Sequence, residues 1–146
     1  MKLRLFVALE LPAPARAALA AFRAAAADPA VWRPVPDEAL HLTLAFLGHR
    51  PEADVPAVVD LHGTLEELQA WVTRELAARG LYEPEARPYR PHATVARLRP
   101  DARAGRGAVP GPEPLEFHGE ALTLFQSRLR RDGARYEPLA SLALSH

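Results

Sequence analysis

The sequence predicts one α+β domain whose strands pair mostly antiparallel. Two segments with helical spacing alternate with apolar, strand-like segments along the 146 residues, a pattern typical of mixed folds. Proline-rich stretches precede two of the strands, and Asp132-Gly133 stands between the last two as a predicted hairpin turn. Tight turns and extended entries favour antiparallel neighbours over the long crossovers of a parallel sheet.

The first half of the chain is predicted to run strand, helix, extended segment, strand. The apolar residues of Lys2–Glu10 predict a strand, and the alanine-rich run from Pro14 to about Ala27 predicts an amphipathic helix with proline in its first turn. Residues 31–36 contain two prolines and predict an extended approach to a strand over Leu40–Leu47. Gly48 is expected to close that strand.

The second half repeats this order. A short strand is predicted over Ala57–Leu61, and Thr64 with Glu67 has the spacing of a capping box before a helix that ends near Gly80. The remaining predicted segments, in chain order, are an extended approach over 82–91, a strand over His92–Leu98, a loop over 100–114, one or two strands over Leu115–Leu129 with a break near Gly119, and a last strand over Tyr136–Leu144. The repeated order predicts an internal duplication.

The duplicated strands carry the same pair of polar residues, His41 with Thr43 and His92 with Thr94. Side chains two residues apart on a strand share a face and lie about 7 Å apart. Two such pairs facing one cleft would supply two imidazoles for proton transfer and two hydroxyl donors. This set suits the cleavage of a phosphate ester.

Two simpler interpretations compete with this one. The histidines could be core residues whose threonine neighbours merely suit strands, although two matching pairs in a duplicated frame favour function. A third match, His62-Gly63-Thr64, is interpreted as structural because Thr64 is a good helix N-cap. The sequence has no His-x-x-x-His spacing and no carboxylate at ligand spacing beside these histidines, so no metal site is predicted.

The composition further limits the kind of protein and the kind of site. The absence of cysteine excludes disulfides and thiol nucleophiles, and the apolar N-terminal run is interrupted too early for a signal sequence or membrane span. We therefore expect a cytoplasmic protein with no membrane partner. The formal net charge is zero, yet arginines cluster around the second His-x-Thr pair, at positions 87, 90, 97, 99, 103 and 106. They could grip phosphate or simply form a solvated face.

Two stretches resemble a known family. His41–Gly48 (HLTLAFLG) and Arg87–Arg97 (RPYRPHATVAR) are similar to the signature motifs of the 2H phosphoesterases, and more narrowly of the RNA 2′,3′-cyclic phosphodiesterases, also called 2′-5′ RNA ligases. Residues 4–9, 127–129 and 133–139 resemble the same family, so the similarity reaches both ends. The stretch between Gly48 and the second helix is shorter than the family pattern, which suggests either a reduced lobe or a segment omitted between Arg50 and Ala57.

The resemblance implies a two-lobed, pseudo-twofold fold in which residues 1–146 form a single domain, with mostly antiparallel sheets and outer helices around a central cleft. It implies hydrolysis of RNA 2′,3′-cyclic phosphate ends to 2′-phosphates, with reversible 2′-5′ RNA ligation as a possible second activity and no cofactor. His41 is the implied proton donor and His92 the implied acceptor, while Thr43 and Thr94 bind the phosphate. The expected partners are RNA or nucleotides with such ends, and the expected state is a monomer.

Two further residues are candidate substrate contacts. Arg90 lies two residues before His92 and could contact phosphate or ribose, or could be a surface arginine. Phe46 could stack on a base or belong to the core. Two other functions remain open: a phosphodiesterase for another small cyclic or nucleotide phosphodiester, and an RNA-binding module without turnover.

Overall fold

The computed structural model describes residues 2–51, 64–105 and 109–144. Its elements, in chain order, are β1 (Lys2–Glu10), α1 (Ala13–Ala26), β2 (Trp32–Pro34), a 3-10 turn (Asp37–Ala39), β3 (His41–Pro51), α2 (Leu65–Ala78), β4 (Ala96–Leu98), β5 (Ala121–Arg130) and β6 (Gly133–Ala143). The predicted strand over Ala57–Leu61 lies outside the described residues. Most of the stretch between Gly48 and the second helix, which is shorter than the family pattern, lies outside them as well.

The strands form two antiparallel sheets. The larger sheet has the order β3-β1-β5-β6, and β2 pairs only with β4 in a separate two-stranded sheet. The predicted α+β class and antiparallel pairing are confirmed. That residues 1–146 form one domain of two intertwined lobes stays a prediction.

The larger sheet separates a packed core from an open cleft. Alternate residues of β1, including Val7 and Leu9, pack with Leu68 and Val72 of α2 in the buried core. Arg4 and Phe6, on the opposite face, line the cleft. The period of two in strand side chains therefore assigns one face of β1 to stability and the other to the site.

Both helices match their predicted positions. α1 begins one residue before Pro14 and ends one before Ala27, and α2 has the predicted capping box, in which Glu67 N donates to Thr64 Oγ1 and Thr64 N donates to Glu67 Oε2. The structural interpretation of Thr64 is therefore confirmed, while His62 and Gly63 lie outside the described residues. Neither helix in the described ranges is long and apolar enough to cross a membrane.

The expectation that Gly48 closes the His41 strand is wrong. β3 continues to Pro51, and Gly48 lies in a bulge with φ of 67°. Leu5 pairs with Gly48 while Phe6 pairs with Phe46, so Leu47 is an extra residue opposite β1. Glycine is favoured here because it adopts a positive φ without a Cβ clash, which lets the strand bend and continue.

The second predicted His-x-Thr strand is also too long. Only Ala96–Leu98 is a strand, and residues 92–95 are irregular. The partner strand explains the early end, because Pro34 and Pro36 have no N–H to extend the ladder. One backbone bond, from Val35 N to Val95 O at 2.9 Å, continues the contact.

The C-terminal hairpin is confirmed, with Gly133 at φ 128° after the turn. The strand before it is shorter than predicted, since β5 starts at Ala121 and residues 115–120 are not in a strand. Gly119 lies against the core at this point. A Cβ placed on Gly119 would be 2.4 Å from Leu9 Cδ1 and 2.8 Å from its Cγ.

Gly119→Ala is expected to lower the free energy of unfolding by about 1–3 kcal/mol, because the added methyl would overpack the buried Leu9 side chain. Urea denaturation measures the change. Gly111→Ala is the control, since a Cβ there meets nothing within 4 Å. Equal midpoints for the two variants would contradict the close packing at Gly119.

Candidate active site

One cleft brings together all six residues that the sequence predicts for the site. It has a volume of about 1540 Å³. The predicted residues that line it are His41, Thr43 and Phe46 on β3, and Arg90, His92 and Thr94 on the segment before β4. Positions 51 residues apart in sequence therefore meet on one surface, as the duplicated motif predicts.

Both histidines are held by the same kind of hydrogen bond, from Nδ1 to the main-chain carbonyl two residues earlier. His41 Nδ1 lies 2.7 Å from the carbonyl oxygen of Ala39, and His92 Nδ1 lies 2.9 Å from that of Arg90. A carbonyl oxygen only accepts, so Nδ1 carries the hydrogen in each ring. In the neutral tautomer this leaves a lone pair on Nε2, which is the atom available for proton transfer.

His41 and Thr43 point the same way and touch. His41 Nε2 and Thr43 Oγ1 are 3.0 Å apart. When His41 is neutral, the hydroxyl donates to Nε2, and when His41 is charged, Nε2–H donates to the hydroxyl oxygen. The described contacts of His92 include no matching bond to Thr94, so the two copies of the motif are not equivalent.

Aromatic rings surround His41. Phe6 lies 5.0 Å away between ring centroids, and Tyr136 packs edge-on at 5.3 Å. Burial lowers the pKa of His41 most, the bond to Ala39 opposes this, and the charges of Arg97 and His92 lower it further. The neutral imidazole is therefore favoured in the unliganded cleft.

The cleft is strongly cationic although the chain has no net charge. Its lining contains one acidic residue, Glu85, against seven arginines: Arg4, Arg33, Arg74, Arg87, Arg90, Arg97 and Arg130. Arg33 and Arg97 are direct cross-strand partners, and like charges in that position repel. A bound anion would relieve this repulsion, which makes the cleft suited to phosphate.

The predicted arginine cluster is thus divided by the fold. Arg87, Arg90 and Arg97 line the cleft, whereas Arg99 donates from Nε to the Pro29 carbonyl oxygen at 2.8 Å, outside the lining. Arg103 is exposed and also outside the lining. Arg106 lies beyond the described ranges.

Phe46 is in the cleft and not in the core. A register shift lets Val7 pair with Ala45 while Ala8 pairs with Thr43, so Leu44 is an extra residue. The bulge buries both Leu44 and Ala45 and leaves Phe46 46% exposed. The core alternative for Phe46 is therefore wrong, and its contact with substrate stays a prediction.

Several cleft residues were not identified from the sequence. Tyr89 donates from its hydroxyl to the Thr43 carbonyl oxygen at 3.0 Å, which ties the segment before the second motif to the first. Tyr136 packs against His41, and Arg4 donates to Ser127 Oγ at 2.9 Å. Tyr89, Tyr136, Arg4 and Ser127 all lie in stretches that resemble the family, but no spacing rule indicates that they line the cleft.

The residues that the structure describes contain no group of three or more His, Cys, Asp or Glu side chains that could hold a metal ion. The absence of a metal or cofactor from the reaction stays a prediction from the sequence.

Comparisons with known proteins agree with the motifs. The family model described as LigT like Phosphoesterase matches residues 9–65. An RNA 2′,3′-cyclic phosphodiesterase of Thermus thermophilus is 35% identical over 122 residues, which are 80% of this chain and 62% of that protein. The match thus spans less than two thirds of that relative's length.

Solved structures extend the likeness to the whole fold. Escherichia coli LigT complexed with 3′-AMP has a TM-score of 0.75 at 27% identity, with both chains fully covered. TT0787 of Thermus thermophilus has a TM-score of 0.74 at 30% identity, with 97% of each chain covered.

Proposed function

Since this chain belongs to the LigT-like branch of the 2H phosphoesterases, we propose that it hydrolyses RNA 2′,3′-cyclic phosphate ends to 2′-phosphates. The observation that carries the proposal is the matched pair of imidazoles in one arginine-lined cleft. Each has Nδ1 bonded to a carbonyl, so each has Nε2 available for a proton. An acid and a base are what hydrolysis of a cyclic phosphodiester requires.

The names of the relatives support this substrate class. The Thermus thermophilus relative is an RNA 2′,3′-cyclic phosphodiesterase, and Escherichia coli LigT was solved with 3′-AMP. A nucleotide with phosphate on its ribose has the size and charge that a large cationic cleft accepts.

In the proposed reaction, His92 Nε2 takes a proton from water as the water oxygen bonds to phosphorus. The bond from phosphorus to the 3′ oxygen breaks, and His41 Nε2–H protonates that oxygen. A 2′-phosphate and a free 3′ hydroxyl result, with one proton gained and one lost by the histidines. Thr43 and Thr94 donate hydrogen bonds to the non-bridging oxygens, where negative charge grows in the transition state.

The donor role requires His41 to be charged when substrate is bound. Its pKa is lowered in the unliganded cleft, but a bound phosphate anion favours the imidazolium and raises the pKa again. Once Nε2–H is aimed at the leaving oxygen, the Thr43 hydroxyl is released from its 3.0 Å bond to Nε2 and can donate to phosphate. The negative charge of the substrate thus favours the protonated form of His41 and frees the Thr43 hydroxyl in the same step.

The test is incubation of the protein with adenosine 2′,3′-cyclic phosphate in the presence of a metal chelator. The expected product is 2′-AMP, which chromatography separates from 3′-AMP. A parallel incubation with 3′,5′-cyclic AMP examines whether another cyclic phosphodiester is preferred. Unchanged 2′,3′-cyclic substrate at enzyme excess would contradict the proposal, and tight binding without turnover would favour the RNA-binding module.

A further inference from the structure

One end of the cleft carries three arginines that the proposed reaction does not use. Arg4, Arg33 and Arg130 line this region together with Ser127 and Gly133, and we call it the arginine end. None of the ion pairs found in the described part of the chain involves these three residues. Their charges are therefore available to a ligand.

Arg4 is held in place by two neighbours. Its Nη1 donates to Ser127 Oγ at 2.9 Å, and its Cζ lies 4.8 Å from the centroid of the Phe46 ring. Ser127 is only 5% exposed, so it is a fixed anchor. The guanidinium is thus oriented before any ligand arrives, and its other N–H groups remain free for a bidentate contact.

Arg33 and Arg130 converge on the hairpin that closes this end. The Arg33 guanidinium carbon lies 3.6 Å from the position that a Cβ on Gly133 would occupy. Arg130 is the cross-strand partner of Gly133. One arginine from β2 and one from β5 therefore lie beside the same glycine, and two positive charges in one region of the cleft favour an anion there.

The arginine end lies close to His41, separated from it along β1 by one two-residue strand period. Arg4 and Phe6 are two residues apart on the cleft face of β1, which is about 7 Å. The Phe6 ring is 5.0 Å from the His41 ring. This separation is comparable to the length of one nucleotide unit, so a phosphate here would be the neighbour of the reacting one.

The chemistry of the substrate identifies that neighbour. In a nucleotide with a 2′,3′-cyclic phosphate both lower ribose oxygens are occupied, so another phosphate can be attached only at the 5′ oxygen. We propose that the arginine end binds this 5′ phosphate, and that the protein therefore prefers cyclic ends on an RNA chain to isolated cyclic nucleosides. The inference rests on the proposed function and specifies its substrate.

The test compares three substrates at one ionic strength: adenosine 2′,3′-cyclic phosphate, its 5′-phosphorylated form, and the dinucleotide ApA with the same cyclic end. We expect both substrates that carry a 5′ phosphate to have a kcat/KM about tenfold above that of the first, since charge-assisted hydrogen bonds are added. Arg33→Gln and Arg130→Gln are each expected to reduce this preference about three- to tenfold. Arg130 is exposed, so its replacement leaves the fold intact.

Arg103→Gln is the matched control, because it removes the same charge from an exposed position outside the cleft. It should keep the full preference. The proposal would be overturned if the wild-type protein showed nearly equal kcat/KM with and without the 5′ phosphate. It would also be overturned if the preference were unchanged in both Arg33→Gln and Arg130→Gln. Preference for the 5′-phosphorylated mononucleotide alone would also overturn it, because the site would then bind a terminal monoester and not an RNA chain.

A binding measurement separates this inference from the proposed function. Calorimetry compares 2′-AMP with adenosine 2′,5′-bisphosphate, and needs no turnover. Tighter binding of the bisphosphate that is lost in Arg130→Gln would support the arginine end even if no substrate is hydrolysed. Equal affinities would contradict it even if adenosine 2′,3′-cyclic phosphate is a good substrate.

Discussion

Replacing His41 or His92 with alanine is expected to lower kcat for adenosine 2′,3′-cyclic phosphate by about a hundredfold to ten-thousandfold, the usual range for loss of a general acid or base. Each ring offers Nε2 to the cleft because its Nδ1–H is bonded to a carbonyl. Alanine removes that atom and leaves the backbone in place. Initial rates at saturating substrate measure the effect.

The matched control is His49→Ala, because His49 lies on the same strand but is exposed and outside the cleft lining. It should retain wild-type kcat. The double variant lacking His41 and His92 should be scarcely slower than the slower single variant, since an acid and a base that act in one step are not additive. Full activity in either single variant, with an unchanged circular dichroism spectrum, would refute the paired mechanism.

The grouping of the site residues was predictable because they repeat in sequence. His-x-Thr recurs, and a strand period of two brings His41 and Thr43 together, as their 3.0 Å contact confirms. The bond that sets the tautomer was not predictable. It runs from Nδ1 to a main-chain carbonyl two residues earlier, and a backbone acceptor is the same in every residue type.

The departures in the fold come from backbone features that side-chain patterns do not encode. The extra residue Leu44 shifts Phe46 to the cleft face, and an alternation pattern cannot reveal where such a residue is inserted. The short strand at Ala96–Leu98 depends on Pro34 in β2 and on Pro36 just after it, in a partner more than sixty residues earlier in the chain. The pairing of strands that are distant in sequence therefore determines strand ends and side-chain faces that local sequence patterns do not.

The pH dependence of hydrolysis is expected to be bell-shaped and to differ between kcat/KM and kcat. One histidine must be neutral and the other charged, so each limb should fall about tenfold per pH unit. The pKa of His41 is lowered in the free protein, first by burial and then by the charges of Arg97 and His92. If His41 is the donor, the alkaline limb of kcat/KM reports the pKa of His41 in the free enzyme. This limb should therefore lie at a lower pH than the ordinary pKa of a histidine.

Bound phosphate should reverse that shift, because its negative charge favours the imidazolium. The alkaline limb of kcat, which reports the complex, should therefore lie at higher pH than that of kcat/KM. Nuclear magnetic resonance titration of the His41 ring, without and with 2′-AMP, measures the same change directly, with exposed His49 as the internal reference. Arg97→Gln should raise the free-protein pKa of His41, since one repelling charge is removed. A His41 pKa that stays low when 2′-AMP is bound would instead make His41 the base and His92 the acid, because Nε2 of the neutral His41 ring has no proton to give when Nδ1 carries the hydrogen.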